Sequence, residues 1–541
     1  MSSNKKLTGL YIALITLVAT LGGLLFGYDT AVVNGAEQSL VSFFISKITG
    51  PENYTYAVTI ISQYKIFVSV VVILALVILS TQIFKLLGSK KGGITAGILF
   101  VLAIIWVVNY VSETIPAASD ADGLKLQVDS IKGFVISSAL VGCIIGGSIS
   151  GFVSNSLGRK NGLFICAIAF CVSAIGAWNP EGFNVFGISD VYSFVIYRII
   201  GGLGVGLASA LSPMYIAEIA PAESRGKLVS LNQFAIIFGM LVIYFVNYFI
   251  ASQGDQQWLT EYGWRWMFFS GIIPAGLFFI LLFFIPETPR FLVMKNQDDK
   301  ALKVLKKIVG DKKADGQLAD IKATLHETNL PWLSYGWAVI VIGILISVFQ
   351  QFVGINVVLY YAGNIFRNMG ANTNVSLLQT IVVGIVNLTF TCVAIFTVDK
   401  FGRKPLMIIG ALGMAVSMIL LGFTFYFQTI GMGSLILMLL YTASFAMSWG
   451  PVAWVLLSEI FPNSIRGAMS IAVAAQWLAN LIVSWTFPML NDNKSLEQIF
   501  HQGLAYWIYG VMGLIAAFFI WKFVPETKGK TLEEIEKFWK K

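Results

Sequence analysis

The sequence predicts an all-α polytopic membrane protein, and three observations carry that prediction. Of 541 residues, 57% are apolar and only 12% charged, where soluble domains carry about a quarter charged residues. The apolar residues gather in runs long enough to cross a hydrocarbon core, which takes about 20 residues of helix. Lys and Arg gather in alternate loops between those runs. An ordinary soluble enzyme and a disordered chain are excluded. The net charge of +8 sits in loops between apolar runs, so the expected partner is the lipid bilayer and not nucleic acid. Cys143, Cys166, Cys171 and Cys392 lie in apolar runs and read as packing residues. His326 and His501 are the whole histidine complement, too few for a metal cluster, and no cofactor is expected.

The runs fall at 9–28, 66–87, 94–111, 133–153, 161–178, 191–212, 228–250, 264–285, 335–361, 376–398, 406–427, 433–457, 468–490 and 504–524. That predicts 14 spans. Orientation follows from the basic residues. Lys5 and Lys6 precede the first span, and Lys85, Lys90 and Lys91 separate the second from the third. Arg159, Lys160, Arg225, Lys227, Arg403, Lys404 and Arg466 mark loops on the same side, as does the Lys-rich stretch 286–334, whose pattern predicts short amphipathic helices. Opposite loops are sparse or acidic, with Glu113, Asp120, Asp122 and Asp129 in one and Asp255 and Glu261 in another. An even number of spans then puts both termini in the cytoplasm.

The chain contains an internal repeat. Gly158-Arg159-Lys160 returns as Gly402-Arg403-Lys404, and Pro286-Glu287-Thr288 as Pro525-Glu526-Thr527. Between them Glu223-Ser224-Arg225-Gly226 returns, more loosely, as Asn463-Ser464-Ile465-Arg466-Gly467. Each copy lies about 240 residues after the first, the mark of a duplication. Four spans precede Arg159 in the first half but only two precede Arg403 in the second, so two spans are extra. Spacing alone leaves open whether these are 66–87 and 94–111 or the first two.

A duplicated six-span half, with the halves related about the membrane normal, is the arrangement of the major facilitator superfamily. The two Gly-Arg-Lys loops and the two Pro-Glu-Thr segments resemble the sugar porter family of that superfamily. So do Tyr197-Arg198-x-x-Gly201, Gln350-Gln351-x-x-Gly354-x-Asn356 and Gly450-Pro451-Val452-Ala453-Trp454. The resemblance covers 9–37 and 133–541 and implies a major facilitator fold. Gly27-Tyr28-Asp29-Thr30 resembles the family's first span, which resolves the extra pair as the hairpin 66–111. The expected units are 1–37, the first span of the N-terminal bundle; 38–131, the inserted segment; 132–285, the rest of that bundle; 286–334, the linker; 335–524, the C-terminal bundle; and 525–541, a cytoplasmic tail.

Asp29 is an ionisable group in an apolar span. Such a charge costs about 2.5–3.5 kcal/mol on insertion scales and is usually paired or functional. Arg198 is its expected partner. Burial raises a carboxyl pKa and a nearby Arg lowers it, so the pair suits a proton-coupling role. Gln350, Gln351 and Asn356 offer donors and acceptors together, as a sugar hydroxyl does. On one continuous helix, positions 350 and 354 share a face and Gln351 lies about 100° round. Such amides also serve as interhelical hydrogen bonders; the family motif turns the reading toward sugar. Tyr360 follows Asn356 by one turn. The resemblance adds Gln233, Asn387, Gln476, Trp477 and Trp454, whose ring suits the C–H face of a sugar. Phe26, one turn before Asp29, is placed to pack beside it. Met240 stands where a close bacterial member of the family has Gln, which leaves the sugar preference open.

Glu218 and Arg225 mirror Glu459 and Arg466. With Arg159, Asp399 and Arg403 they are expected to gate the cytoplasmic end through interhelical pairs when the carrier opens outward. Gly201–Gly206 lies inside an apolar run with no preceding strand, so it reads as helix packing and not as a nucleotide loop. The resemblance implies no enzyme but a monomeric symporter of a bacterial inner membrane, importing a pentose such as D-xylose with a proton by alternating access. A facilitative uniporter and a transporter-like sugar sensor would keep the same sugar contacts.

Overall fold

The computed structural model describes residues 2–49, 53–184, 187–221, 225–325, 330–530 and 532–539. Fourteen of its helices are long and apolar enough to cross a membrane. They are α1 Gly9–Ile45, α2 Tyr54–Gly88, α3 Lys90–Ser112, α4 Ala121–Leu157, α5 Arg159–Trp178, α6 Asp190–Ile219 and α7 Lys227–Ala251, then α8 Gln256–Phe284, α9 Trp337–Asn368, α10 Thr373–Val398, α11 Arg403–Tyr426, α12 Met432–Ile460, α13 Met469–Asn491 and α14 Leu504–Phe523. Each contains one expected apolar run nearly whole. The bundles α1 with α4–α8, and α9–α14, meet where α1 packs on the second half of α9, α7 on α10, and α4 on α13. Short helices Pro289–Met294, Asp298–Val309 and Asp311–Leu325 occupy the stretch between them.

Two boundaries differ from expectation for one physical reason. α1 continues well past residue 28, and α4 begins twelve residues before 133. Asn34, Glu37, Asp129 and Lys132 lie in these extensions, are buried, and find partners there, so helix continues where hydropathy alone ends it. The hairpin is likewise longer than 66–111. Its two helices meet at Gly88, whose φ of 78° and ψ of 170° break the helical path.

The repeat markers turn out to be one structural unit. Gly158 (φ 98°) and Gly402 (φ 93°) take the same left-handed turn before α5 and α11. Neither glycine has a side chain to cap the helix it starts, and the first N–H groups of a helix need acceptors. Glu287 supplies one carboxylate oxygen to the N–H of Arg159 at 3.1 Å and meets that of Lys160 at 3.1–3.2 Å. Glu526 does the same for Arg403 at 3.1 Å and Lys404 at 3.0 Å. Burial pushes the Glu287 carboxyl up from its ordinary value, while the N–H groups it accepts and Arg159 pull it back down. A carboxylate at a helix N-terminus also meets the positive end of the helix dipole.

Candidate functional site between the two bundles

Two helix breaks build the site. α9 stops at Phe352 and resumes at Ile355, with Gly354 at φ 92°. Only glycine takes that conformation without strain, and a Cβ there would stand 2.7 Å from Tyr509. α12 stops at Met447 and resumes at Trp449. Side chains tie each break to the other helix. Gln350 Nε2 donates to Trp449 O at 2.8 Å and Gly450 O at 3.4 Å. Tyr441 donates to Val353 O at 2.8 Å. The single-helix reading of 350–357 is therefore corrected. The break swings Asn356 round so that its Nδ2 donates to Gln351 Oε1, while Gln351 Nε2 faces Gln350 Oε1 at 3.4 Å.

Between the bundles lies a cavity of about 300 Å³, the size class of small-ligand sites. Phe26, Gln233, Gln350, Gln351, Asn356, Tyr360, Asn387, Trp454, Gln476 and Trp477 all line it. Phe26 and Trp477 meet with ring centroids 5.7 Å apart. Met240 lines it too. Asn232 and Asn480, which sequence reasoning passed over, also face it; an amide one residue from an expected one, and one three residues beyond Trp477, were the available signal. Gln476 Oε1, Trp477 Nε1 and Asn232 Oδ1 are buried and have no hydrogen-bond partner among the described residues.

Asp29 and Arg198 stand beside this cavity and not in its wall. Arg198 Nη1 donates to Asp29 Oδ1 at 2.8 Å, and Nη2 to the Asp29 backbone carbonyl at 2.9 Å. Arg198 is fully buried and its guanidinium lies 5.1 Å over the Phe268 ring. Asp29 Oδ2 and Arg198 Nε are buried and have no hydrogen-bond partner among the described residues. Asp29 borders a separate small void with Tyr28, Phe170 and Phe268. The pair is thus held through one carboxylate oxygen and the backbone carbonyl of Asp29.

The cavity reaches toward the end of the molecule that carries the Gly-Arg-Lys loops, here the basic end. Its wall includes Pro213, Val229, Ile395 and Val455, all toward that end of their helices. Arg159 pairs with Glu218 at 2.8 Å and Arg403 with Glu459 at 2.8 Å. Both pairs stay within one bundle. The side chains of Arg225, Asp399 and Arg466 lie outside the described residues.

The opposite end is closed by charges that sequence reasoning did not single out. Glu37 Oε1 lies 3.2 Å from Lys132 Nζ, and Glu37 Oε2 lies 2.6 Å from Arg367 Nη2. Lys132 also reaches Asp492 Oδ2 at 2.7 Å. Glu37 and Lys132 belong to the first bundle, Arg367 and Asp492 to the second, so this four-charge clasp joins the two. Around it Asn34 and Tyr244 both donate to Leu359 O, at 2.8 and 3.1 Å, and Trp485 donates to Ser130 O at 3.0 Å.

Residues 15–539 match the family described as Sugar (and other) transporter. The chain is 50% identical to the D-xylose-proton symporter of Escherichia coli (strain K12) over 99% of its length and 97% of that protein's. It is 41% identical to the glucose facilitated diffusion protein of Zymomonas mobilis, over 76% of this chain and 88% of the relative. The xylose transporter XylE from E. coli, solved in a partially occluded inward-open conformation, superposes with a TM-score of 0.75 at 49% identity, covering 96% of this chain and 99% of that one. The XylE symporter bound to 6-bromo-6-deoxy-D-glucose superposes with a TM-score of 0.73 at 51% identity, covering 98% of this chain and 100% of that one. With a matching fold, a duplicated architecture and identity of this extent, the chain belongs to the sugar transporter family of the major facilitator superfamily.

Proposed function

We propose that the protein imports a pentose, D-xylose, together with a proton, by alternating access across a bacterial inner membrane. The observation that carries this reading is the buried Asp29–Arg198 pair, whose second carboxylate oxygen has no hydrogen-bond partner among the described residues, next to an amide- and aromatic-lined cavity. The basic end faces the cytoplasm, as the distribution of Lys and Arg favours, so both termini are cytoplasmic and the structure is open inward. One chain encloses the whole cavity, which suits a monomer.

Each group has a task in the cycle. Asp29 takes a proton while the carrier is open outward, and its neutral carboxyl then no longer holds Arg198 by charge. Sugar hydroxyls bind the Gln and Asn side chains, and Trp454 packs on the sugar's C–H face. The bundles rock, the Glu37–Lys132–Arg367–Asp492 clasp forms, and the cytoplasmic end opens. Sugar leaves. Asp29 then gives up its proton as Arg198 returns to the position seen here.

Purified protein in proteoliposomes tests this reading. D-xylose is expected to accumulate only under an inwardly directed proton gradient. Asp29→Asn is expected to abolish accumulation and to retain sugar exchange. Uphill uptake by Asp29→Asn refutes the coupling role. Equal uptake by the native protein with and without the gradient would favour a facilitator, as the Zymomonas relative is named.

A further inference from the structure

Among the described residues, the α2–α3 hairpin lines neither the cavity nor the void beside Asp29, yet its contacts are not those of a passive passenger in lipid. At the end opposite the basic loops, α2 is bonded to the N-terminal bundle. Tyr192 donates to Ile60 O at 2.9 Å, and the Tyr192 ring stacks on Phe67 at 4.8 Å. The N–H of Ser189 donates to Gln63 Oε1 at 3.2 Å, and the Tyr64 and Ser130 hydroxyls are hydrogen-bonded to each other. Toward the basic end, about 28 Å further along the helix axis at 1.5 Å per residue, α2 touches the other half. Ser470, at the start of α13, donates to Gln82 Oε1 at 3.3 Å. Lys85 Nζ lies 5.4 Å over the ring of Trp332 in the linker, and Trp332 in turn packs against Gly467.

We propose that the hairpin is a conformational brace. It rides with the N-terminal bundle and holds the C-terminal bundle in the inward-open arrangement through Gln82–Ser470 and Lys85–Trp332. The argument is geometric. A rigid helix fixed to one bundle at one membrane face, where Tyr64 also meets the Trp485 ring of α13 edge-on, and touching the other bundle at the other face crosses the seam that rocking must move. The contacts to the N-terminal bundle are several and include buried hydroxyls. Those to the C-terminal bundle at the basic end are two side-chain tips that a small displacement separates. One neutral hydrogen bond and one exposed cation–π contact together shift a two-state balance by about tenfold. Among the described residues α3 has no comparable contacts and is the least buried of the spans; it returns the chain across the bilayer.

This inference rests on the alternating-access reading, and its test separates the two. In a chain with Cys171 and Cys392 replaced by Ser, two cysteine pairs are made, Q82C/S470C and Q63C/S189C, and each is bridged with a short bis-maleimide. Both unbridged variants should transport xylose; their failure to do so would count against the functional reading and the choice of sites together. Bridging 82–470 should stop sugar exchange, and bridging 63–189 should leave it within twofold of the unbridged rate. Full exchange with 82–470 bridged, or loss with 63–189 bridged, overturns the brace. Independently, Q82A/K85A should shift the population between open and closed basic ends about tenfold toward closed, read from distances between spin labels at Leu157→Cys and Phe401→Cys. An unchanged distribution also overturns it.

Discussion

Glu37→Gln is a perturbation whose size can be worked from the clasp. The Glu37 side chain is 2% exposed and lies against Lys132 at 3.2 Å and Arg367 at 2.6 Å. A hydrogen bond to a charged group is worth about 1.5–3 kcal/mol, and breaking a buried pair costs up to about 5 kcal/mol. Gln keeps the shape and one carbonyl acceptor, so one of the two charged contacts survives in weakened form. Lys132 keeps Asp492 as a partner at 2.7 Å. The expected loss is therefore near the lower figure, about 2 kcal/mol. The clasp joins the two bundles across the closed end, and opening that end must pull it apart. The loss therefore falls on the inward-open state alone and shifts the balance about 30-fold toward outward-open. Spin labels at Ser252→Cys and Thr429→Cys, both exposed in loops at the clasp end, report this separation. The expected result is growth of the long-distance population in Glu37→Gln without sugar. A shift of less than threefold would show that the clasp does not set the balance, and would refute the reasoning.

Other outcomes follow from the same geometry. Gln351→Ala removes a side chain bonded to Asn356 and facing Gln350, so apparent sugar affinity should fall about tenfold with proton coupling intact, measured as the concentration for half-maximal uptake. Gln350→Ala removes the donor to Trp449 O as well, so it should lower the thermal midpoint in detergent by several degrees in addition, where Gln351→Ala does not. Gly354→Ala places a Cβ at φ 92° and 2.7 Å from Tyr509; at about 1–3 kcal/mol for such strain, it should reduce thermal stability and slow transport, and wild-type values for both would show that the break tolerates a side chain.

Much of the architecture was legible because a bilayer makes hydropathy nearly sufficient. An unpaired backbone cannot lie in lipid, so a long apolar run must be helix. The polar lining was legible for the complementary reason: Gln350, Gln351, Asn356 and Gln476 stand out in runs that are otherwise almost wholly apolar. The clasp was not. Glu37, Lys132, Arg367 and Asp492 stand near the ends of runs, where a charge ordinarily meets water, and only the packing of one bundle on the other makes them partners. Glu287 and Glu526 were visible as repeat markers, but their capping of α5 and α11 requires the chain to return from the far end of each bundle. The meeting of Gln351 with Asn356 was hidden by helical counting, since the break at Gly354 resets the phase.

The breaks in α9 and α12 also limit how the sugar preference can change. Gln350 gives its N–H donors to the carbonyls at Trp449 and Gly450, so it has only its oxygen to offer a sugar, and Gln351 shares even that. An altered residue at 350 would give up this tie to α12 in order to read a hydroxyl. Gln476, Trp477 and Asn232 carry no such obligation at Oε1, Nε1 and Oδ1, which have no hydrogen-bond partner among the described residues, and Met240 carries none through its thioether. Variation in substrate among proteins built this way should therefore concentrate at positions like these four, while Gln350 stays as it is whichever sugar is carried.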